Sequence, residues 1–199
     1  MPQILYLIRH GETAYNKERR MQGWIDIPLN RIGHAQAKST ADRLQGNTVH
    51  ALYSSDLKRA HSTAKYVAKT LNLRINLAPA LRERDMGIFS GWAWEKEPDP
   101  VKEKLWLEFE AARDRVDLDW NLHQGETLRQ MTDRVTHFLS ELDTLHFNQH
   151  IALTTHGGTI NRILEYYAVK QPADGYRTVT NASILVITRQ DNKFLLSEL

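Results

Sequence analysis

Two histidines, far apart in the chain, occupy the same local setting. Ile4, Leu5, Tyr6, Leu7 and Ile8 form an apolar run of buried-strand length that ends in Arg9, His10 and Gly11, where the backbone must turn. Residues 151–155 form a second apolar run ending in His156, Gly157 and Gly158, and residues 159–168 then read as a helix. A strand of this kind delivers its terminal side chains to the carboxyl edge of an open α/β sheet, where ligands bind. An imidazole beside a guanidinium at that edge points to an anion site. Gly11 lets the backbone approach a ligand closely, and Gly157 and Gly158 at a helix start add amide donors at its positive end.

Two further segments lie between them: S-S-D-L-K-R-A-H-S-T-A over 54–64 and L-R-E-R-D-M-G over 81–87. Four separated motifs in this order resemble the histidine phosphatase superfamily, the phosphoglycerate-mutase-like group named for its R-H-G motif. The resemblance implies a phosphoglycerate-mutase-like fold and phosphoryl transfer through a phosphohistidine. His10 is the implied nucleophile, on the resemblance alone, because the spacing does not distinguish it from His156. A covalent phosphohistidine splits one hard displacement into two easier ones. Arg9 and Arg59 are implied to neutralise the phosphoryl oxygens with planar forks of donors, Arg59 through the Ser-x-Asp-Leu-x-Arg-Ala pattern around it. His156 is implied to donate to those oxygens without attacking. Glu83, in Leu-x-Glu-x-x-x-Gly, matches the general acid that protonates the leaving alkoxide and then activates water. Glu12 is a weaker competitor by proximity, and Asp85 misses the motif position. Asn16, Gln22, Gly23 and Gly157 are the expected substrate-binding residues. Thr13 is expected to satisfy local backbone and Lys58 to be solvated.

Mutases of this group look longer after the general acid and at the C-terminus, with Gly-Asn where this chain has Gly157-Gly158. The resemblance therefore favours a metal-independent phosphatase acting on small phosphate monoesters. The alternatives are a cofactor-dependent phosphoglycerate mutase and a non-catalytic phospholigand-binding module. The α-ribazole-phosphate, phosphoserine, sugar-bisphosphate and broad-specificity phosphatases share this core, so the substrate stays open.

Strands and helices alternate along the chain, which predicts an α/β fold: a three-layer α/β/α sandwich with a mostly parallel central sheet. Residues 15–20 are polar and lead into a loop, and Asn30 is placed to cap a helix over 31–44 with Ile32, Ala35, Ala41 and Leu44 on one face. A short strand is expected at 49–53, and Ser54, Ser55 and Asp56 offer caps to a helix carrying Leu57, Ala60, Ala64, Val67, Ala68 and Leu71. A strand is expected at 73–77 and a helix at 101–112. Residues 127–145 make the strongest helix, with Leu128, Met131, Val135, Phe138, Leu139, Leu142 and Leu145 on one face. Terminal strands fall at 181–188 and 193–196, joined by a turn at Asp191-Asn192. Residues 1–199 read as a single domain with an insertion or lid at about 87–125. That insertion is interrupted by Gly91, Pro98 and Pro100, and it should set specificity. Trp24, Trp92 and Trp94 are candidates to line the pocket.

Composition sets the exclusions. Lys+Arg 26 against Asp+Glu 24 gives no basic face for nucleic acid. No cysteine is present, which excludes a thiol nucleophile and a Cys-ligated zinc, and the histidines form no H-E-x-x-H motif. No metal and no cofactor are expected. The first apolar run is too short for a membrane span or signal peptide, so a cytoplasmic protein is the expectation, with its oligomeric state open.

Overall fold

Alternation along the first strand builds a two-faced sheet. The computed structural model describes residues 1–93, 100–115, 117–120, 123–170, 175–191 and 193–199. Among these, β1 (Ile4–Arg9), β2 (Ala51–Ser54), β3 (Ile75–Leu77), β4 (His150–Thr155), β5 (Ile184–Gln190) and β6 (Lys193–Glu198) form one six-stranded sheet in the order β3-β2-β4-β1-β5-β6. The pairings among β3, β2, β4 and β1 are parallel, while β5 pairs antiparallel with β1 and β6 with β5. Side chains two apart share a face. Leu5 and Leu7 therefore join the core under α5 (Leu128–Leu145) and α6 (Gly157–Tyr166), with Met131, Val135, Leu139, Ile160 and Ile163. Tyr6 and Ile8 face α2 (Arg31–Arg43) and α3 (Lys58–Leu71), meeting Ala41, Leu44, Ala64 and Val67. Both faces of the strand are buried, which is why it reads as an unbroken apolar run.

Local signals placed the starts of α2 and α5. Asn30 accepts from the Gly33 amide, and Thr127 with Gln130 forms a capping box at α5. Other expectations need correction. Ile32 is 48% exposed and Ala35 is exposed, because α2 turns Gly33, Ala37, Thr40 and Ala41 inward. Leu145 is likewise exposed at the last turn of α5. The polar stretch after the first motif contains α1 (Ala14–Lys17), one short turn closed by a Thr13–Asn16 capping box. None of the expected residues caps α3: Leu57 stands at its N-cap, Asp56 accepts a bidentate pair of hydrogen bonds from Arg82 (2.7 and 2.5 Å), Ser55 faces His156, and the distant Asp26 accepts from the Lys58 amide (2.7 Å). Helix α6 starts at Gly157, two residues earlier than its apolar pattern indicates, since two glycines carry no hydrophobic signal. Strand β5 starts only at Ile184, leaving Asn181 and Ala182 in a connection that serves the site. Gln190 pairs with Lys193 as a short hairpin requires, and Asn192 of that turn lies outside the described residues.

The stretch after Gly87 supplies α4 (Pro100–Asp114) and a third, aromatic cluster, in which Phe89, Trp106 and Phe109 pack with Met21 and Met86 against Trp92 and Trp120. Ring centroids lie 4.9 Å apart for Phe89–Trp92 and 5.4 Å for Trp106–Phe109. Trp94 lies outside the described residues. No helix among the described residues is long and apolar enough to cross a membrane.

Candidate active site

Parallel register puts the two histidines side by side. Arg9 is the register partner of Thr155, so the next residues, His10 and His156, leave adjacent strands at the same height, and the His10 amide continues the ladder to the Thr155 carbonyl (3.0 Å). Neighbouring strands run about 4.8 Å apart. The ring centroids of His10 and His156 are 5.1 Å apart.

Hydrogen bonds assign the tautomers. His10 Nδ1 lies 2.7 Å from the Gly11 carbonyl, which only accepts, so Nδ1 carries the proton and the Nε2 lone pair is left for a ligand. Burial, with the charges of Arg59 and Arg9, holds the His10 imidazole well below its usual range, against the Gly11 bond that raises it. The ring is therefore neutral. His156 is shifted the same way by burial first and Arg59 next. Its Nδ1 accepts from Arg59 Nε (3.2 Å), which leaves Nε2–H to donate to Ser55 Oγ (2.9 Å). Both ring nitrogens are thus engaged. The ring is fully buried, with Arg59 on one side and Ser55 on the other.

Helix α3 presents Arg59 and Thr63 on one face, four residues apart. Thr63 Oγ1 accepts from the Gly11 amide (3.1 Å) and holds the turn after His10. Arg59, 1% exposed, donates through Nη1 to the Ile25 carbonyl (2.8 Å) and through Nη2 to the Gly23 carbonyl (2.7 Å). All three of its nitrogens therefore already donate, and two of its five N–H groups remain for a ligand. Desolvation lowers its pKa to about 10 in spite of Glu83 and Asp26. Arg9 donates through Nη1 to the Val179 carbonyl, and its buried Nε has no partner. Two buried cations without a paired carboxylate are costly unless an anion joins them.

Glu83 is clamped from every side. Its Oε1 accepts from the Arg84 amide and its Oε2 from the Gly158 amide, both at 2.9 Å, so the amide expected to bind ligand at the start of α6 is held by Glu83. A Cβ at Gly158 would stand 2.2 Å from Glu83 Oε1, and close approach is what requires glycine there. The backbone around Glu83 is fixed by Arg134, whose guanidinium donates to the carbonyls of Ala80, Arg82 and Glu83 (2.7–3.0 Å) and pairs with Glu126 (2.6 Å). Trp24 Nε1 donates to the same Glu83 carbonyl (2.7 Å), and its ring lies under Arg82 at 4.8 Å. Arg134 was legible in principle, as a cation inside the apolar stripe of Met131, Val135 and Phe138.

The single proton of the Thr13 hydroxyl is within reach of both amide oxygens, Asn16 Oδ1 and Gln22 Oε1 (3.0 Å each), and Asn16 Oδ1 also accepts from the Thr13 amide (3.2 Å) and from Asn181 Nδ2 (3.3 Å). Their NH2 groups are what remains for a ligand. Lys58 pairs with Asp26 at the surface (3.3 Å), and Glu12 accepts from Asn30 (2.7 Å). Arg9, His10, Asn16, Gln22, Gly23, Arg59, Glu83 and Gly157 all border one cavity of about 1010 Å³, while His156 stands behind it. The far wall comes from the stretch after Gly87: Phe109, Ala112, Arg113, Asp117 and Trp120. Of the tryptophans among the described residues, Trp120 borders the cavity, whereas Trp24 and Trp92 do not. Arg84, Arg162 and Tyr176 also border it and were missed, since nothing in their local sequence marks them. Among the described residues, no three His, Asp or Glu side chains are grouped to hold a metal.

Layering, strand order and paired imidazoles define a phosphoglycerate-mutase-like α/β/α sandwich. A sequence model of the histidine phosphatase superfamily (branch 1) matches residues 5–199, and the chain belongs to that superfamily. It is 34% identical over 184 residues to phosphoglycerate mutase-like protein 4 of Arabidopsis thaliana, covering 92% of this chain and 77% of that one. It is 33% identical over 198 residues to the metal-independent phosphoserine phosphatase of the same plant, covering 96% and 79%. Among solved structures, a mycobacterial glucosyl-3-phosphoglycerate phosphatase in complex with VO3 superposes with a TM-score of 0.81 at 25% identity, over 98% of each chain.

Proposed function

We propose that this histidine phosphatase hydrolyses small phosphate monoesters through a phosphohistidine on His10, without a metal. The observation that carries the reading is His10 itself, its Nδ1 taken up by the Gly11 carbonyl and the residue bordering one cavity with the guanidinium groups of Arg9 and Arg59. Nε2 attacks phosphorus while Arg9 and Arg59 offset the charge on the equatorial oxygens, and the Gly11 carbonyl steadies the imidazolium that forms. Glu83, protonated, gives its proton to the leaving alkoxide; as a carboxylate it then takes one from the water that attacks the phosphohistidine. The cavity is many times the volume of a water molecule, about 30 Å³, so water has room to reach that intermediate.

The cavity also bears on which esters enter. Among the described residues around it are six guanidinium groups (Arg9, Arg20, Arg59, Arg84, Arg113, Arg162) and three carboxylates (Glu83, Asp117, Glu165). A phosphoryl dianion leaves positive charge over. Arg84 Nη2 is buried and has no partner, and desolvation lowers the Arg84 pKa to about 10. Two relatives act, by their names, on phosphoserine and on glucosyl-3-phosphoglycerate, whose alcohol portions carry a carboxylate. These points favour alkyl phosphates with a second anionic group.

The experiment is turnover of a panel of phosphate esters in buffer containing a chelator, with His10→Ala beside the unaltered chain. The expected loss is about three orders of magnitude or more, together with loss of an acid-labile phosphoenzyme in rapid-quench samples. Unchanged turnover by His10→Ala would refute the assignment. Return of the phosphoryl group to a second hydroxyl of the substrate would instead identify a mutase.

A further inference from the structure

The connection over residues 175–182 forms a wall of the site that no motif announced. The Val179 carbonyl accepts from Arg9, the Ala182 amide donates to the carbonyls of Arg9 and His10 (3.2 Å each), and Asn181 Nδ2 donates to the His10 carbonyl (3.1 Å). The same connection carries Tyr176. The residue as a whole is 61% exposed, while its hydroxyl lies against Gly157 at the border of the cavity. A Cβ on Gly157 would stand 2.7 Å from that hydroxyl and 3.8 Å from Arg9 Nε, so both groups border one small volume in front of Gly157. Arg9 Nε is a buried donor without an acceptor, and among the described residues the Tyr176 hydroxyl makes no hydrogen bond within the protein.

Tyr176 is held by its neighbour. The fully buried Asn161 brackets Arg177 with both ends of its amide: the Arg177 amide donates to Asn161 Oδ1 (2.8 Å), and Asn161 Nδ2 donates to the Arg177 carbonyl (3.0 Å). The same Nδ2 donates to the Gly157 carbonyl (2.9 Å), which ties the Tyr176 backbone to the glycine its hydroxyl faces.

We infer that Tyr176 is a substrate-binding residue whose hydroxyl donates to the phosphoryl group that Arg9 addresses, and that Asn161 is the positioning residue that keeps it there. Two unsatisfied donors converging on one volume is the arrangement that a tetrahedral anion completes. Burial first, and Glu83 next, push the phenol pKa up, so the hydroxyl keeps its proton as a donor. The inference deepens the phosphoester reading and rests on it for the identity of the anion, yet binding tests it separately from turnover.

The test measures affinity for inorganic phosphate by calorimetry and kcat/KM on an alkyl phosphate, with Tm as the folding control. Tyr176→Phe should weaken phosphate binding and lower kcat/KM by about tenfold or more with Tm unchanged, the usual effect of one lost hydrogen bond to a charged group. Gly157→Ala should weaken phosphate binding in the unaltered chain, because its methyl displaces the hydroxyl, and add little in the Tyr176→Phe background. Asn161→Ala should follow the same non-additive pattern; equal weakening in both backgrounds would reduce Asn161 to a structural role and refute its positioning one. Phosphate affinity of Tyr176→Phe within twofold of the unaltered chain overturns the assignment, as does a Gly157→Ala effect of equal size in both backgrounds. If the unaltered chain binds phosphate yet hydrolyses no ester, the proposed activity falls while the binding ratios still decide Tyr176. If it binds no phosphate, both fall.

Discussion

Gly158→Ala tests whether the position of the Glu83 carboxylate, and not merely its presence, sets the rate. The added methyl would lie 3.1 Å from Cδ of Glu83 and 2.2 Å from Oε1, the latter roughly 1 Å or more inside van der Waals contact. The backbone around Glu83 cannot yield, because Arg134 and Trp24 hold its carbonyl and Thr159 holds that of Arg82 (2.8 Å). The carboxylate must therefore move, giving up the Gly158 amide. A misplacement of about 1 Å in a reacting group costs on the order of 100-fold, within the 10²–10⁴ range that general acids supply. Stability should fall by about 0.5–2 kcal/mol, since a charge-assisted hydrogen bond worth about 1.5–3 kcal/mol is lost while alanine favours the helix by up to about 1 kcal/mol. The assay is kcat/KM on an alkyl phosphate and on p-nitrophenyl phosphate, whose leaving group needs no proton. We expect about 100-fold loss on the first and less than about tenfold on the second. Glu83→Gln should show the same contrast, and the double variant should be no worse than Glu83→Gln alone. Equal losses on both esters, or losses that multiply in the double variant, would refute the reasoning.

Two further outcomes follow from the buried charges. If Arg84 receives the second anionic group of a substrate, O-phosphoserine should be preferred over O-phosphoethanolamine, and Arg84→Gln should reduce that preference by about tenfold or more, the size of one charge-assisted hydrogen bond; an unchanged ratio of kcat/KM values would remove Arg84 from recognition. His10 and His156 are neutral in the fold with pKa values depressed below 6.5, so the unfolded chain takes up protons first as pH falls. Their contribution to stability is complete above about pH 6.5 and is lost as pH falls from there toward the depressed values, at up to about 1.4 kcal/mol per pH unit for each ring. Denaturant midpoints between pH 7.5 and 5 should fall less steeply for His10→Asn than for the unaltered chain, and parallel curves would contradict the assignment.

What was legible in the residues was whatever spacing within one segment controls. The apolar runs ending in Arg9-His10-Gly11 and His156-Gly157-Gly158, the capping signals at Asn30 and Thr127, and the stripe on α5 each depend on neighbours within a few positions. Misreadings fell where burial is set from outside the segment. Ile32 has the spacing of a core residue, yet α2 lies with Gly33 and Ala37 inward. Ser55 and Asp56 have capping chemistry, but His156 and Arg82, distant in sequence, take their side chains.

The amino-acid sequence alone determined the strand-end imidazoles, the guanidinium and carboxylate types around them, and the alternating order that makes an α/β sandwich, because these are properties of type and local period. Only the tertiary structure decided which nitrogen of His10 is free, that His156 steadies Arg59, that Gly158 holds Glu83, and that Tyr176 faces Gly157. Each of those facts is a pairing across many residues of chain. Such pairings exist because strand order β2-β4-β1 and the return through residues 175–182 bring distant backbone together at one sheet edge, and no spacing along the chain encodes a distance across it.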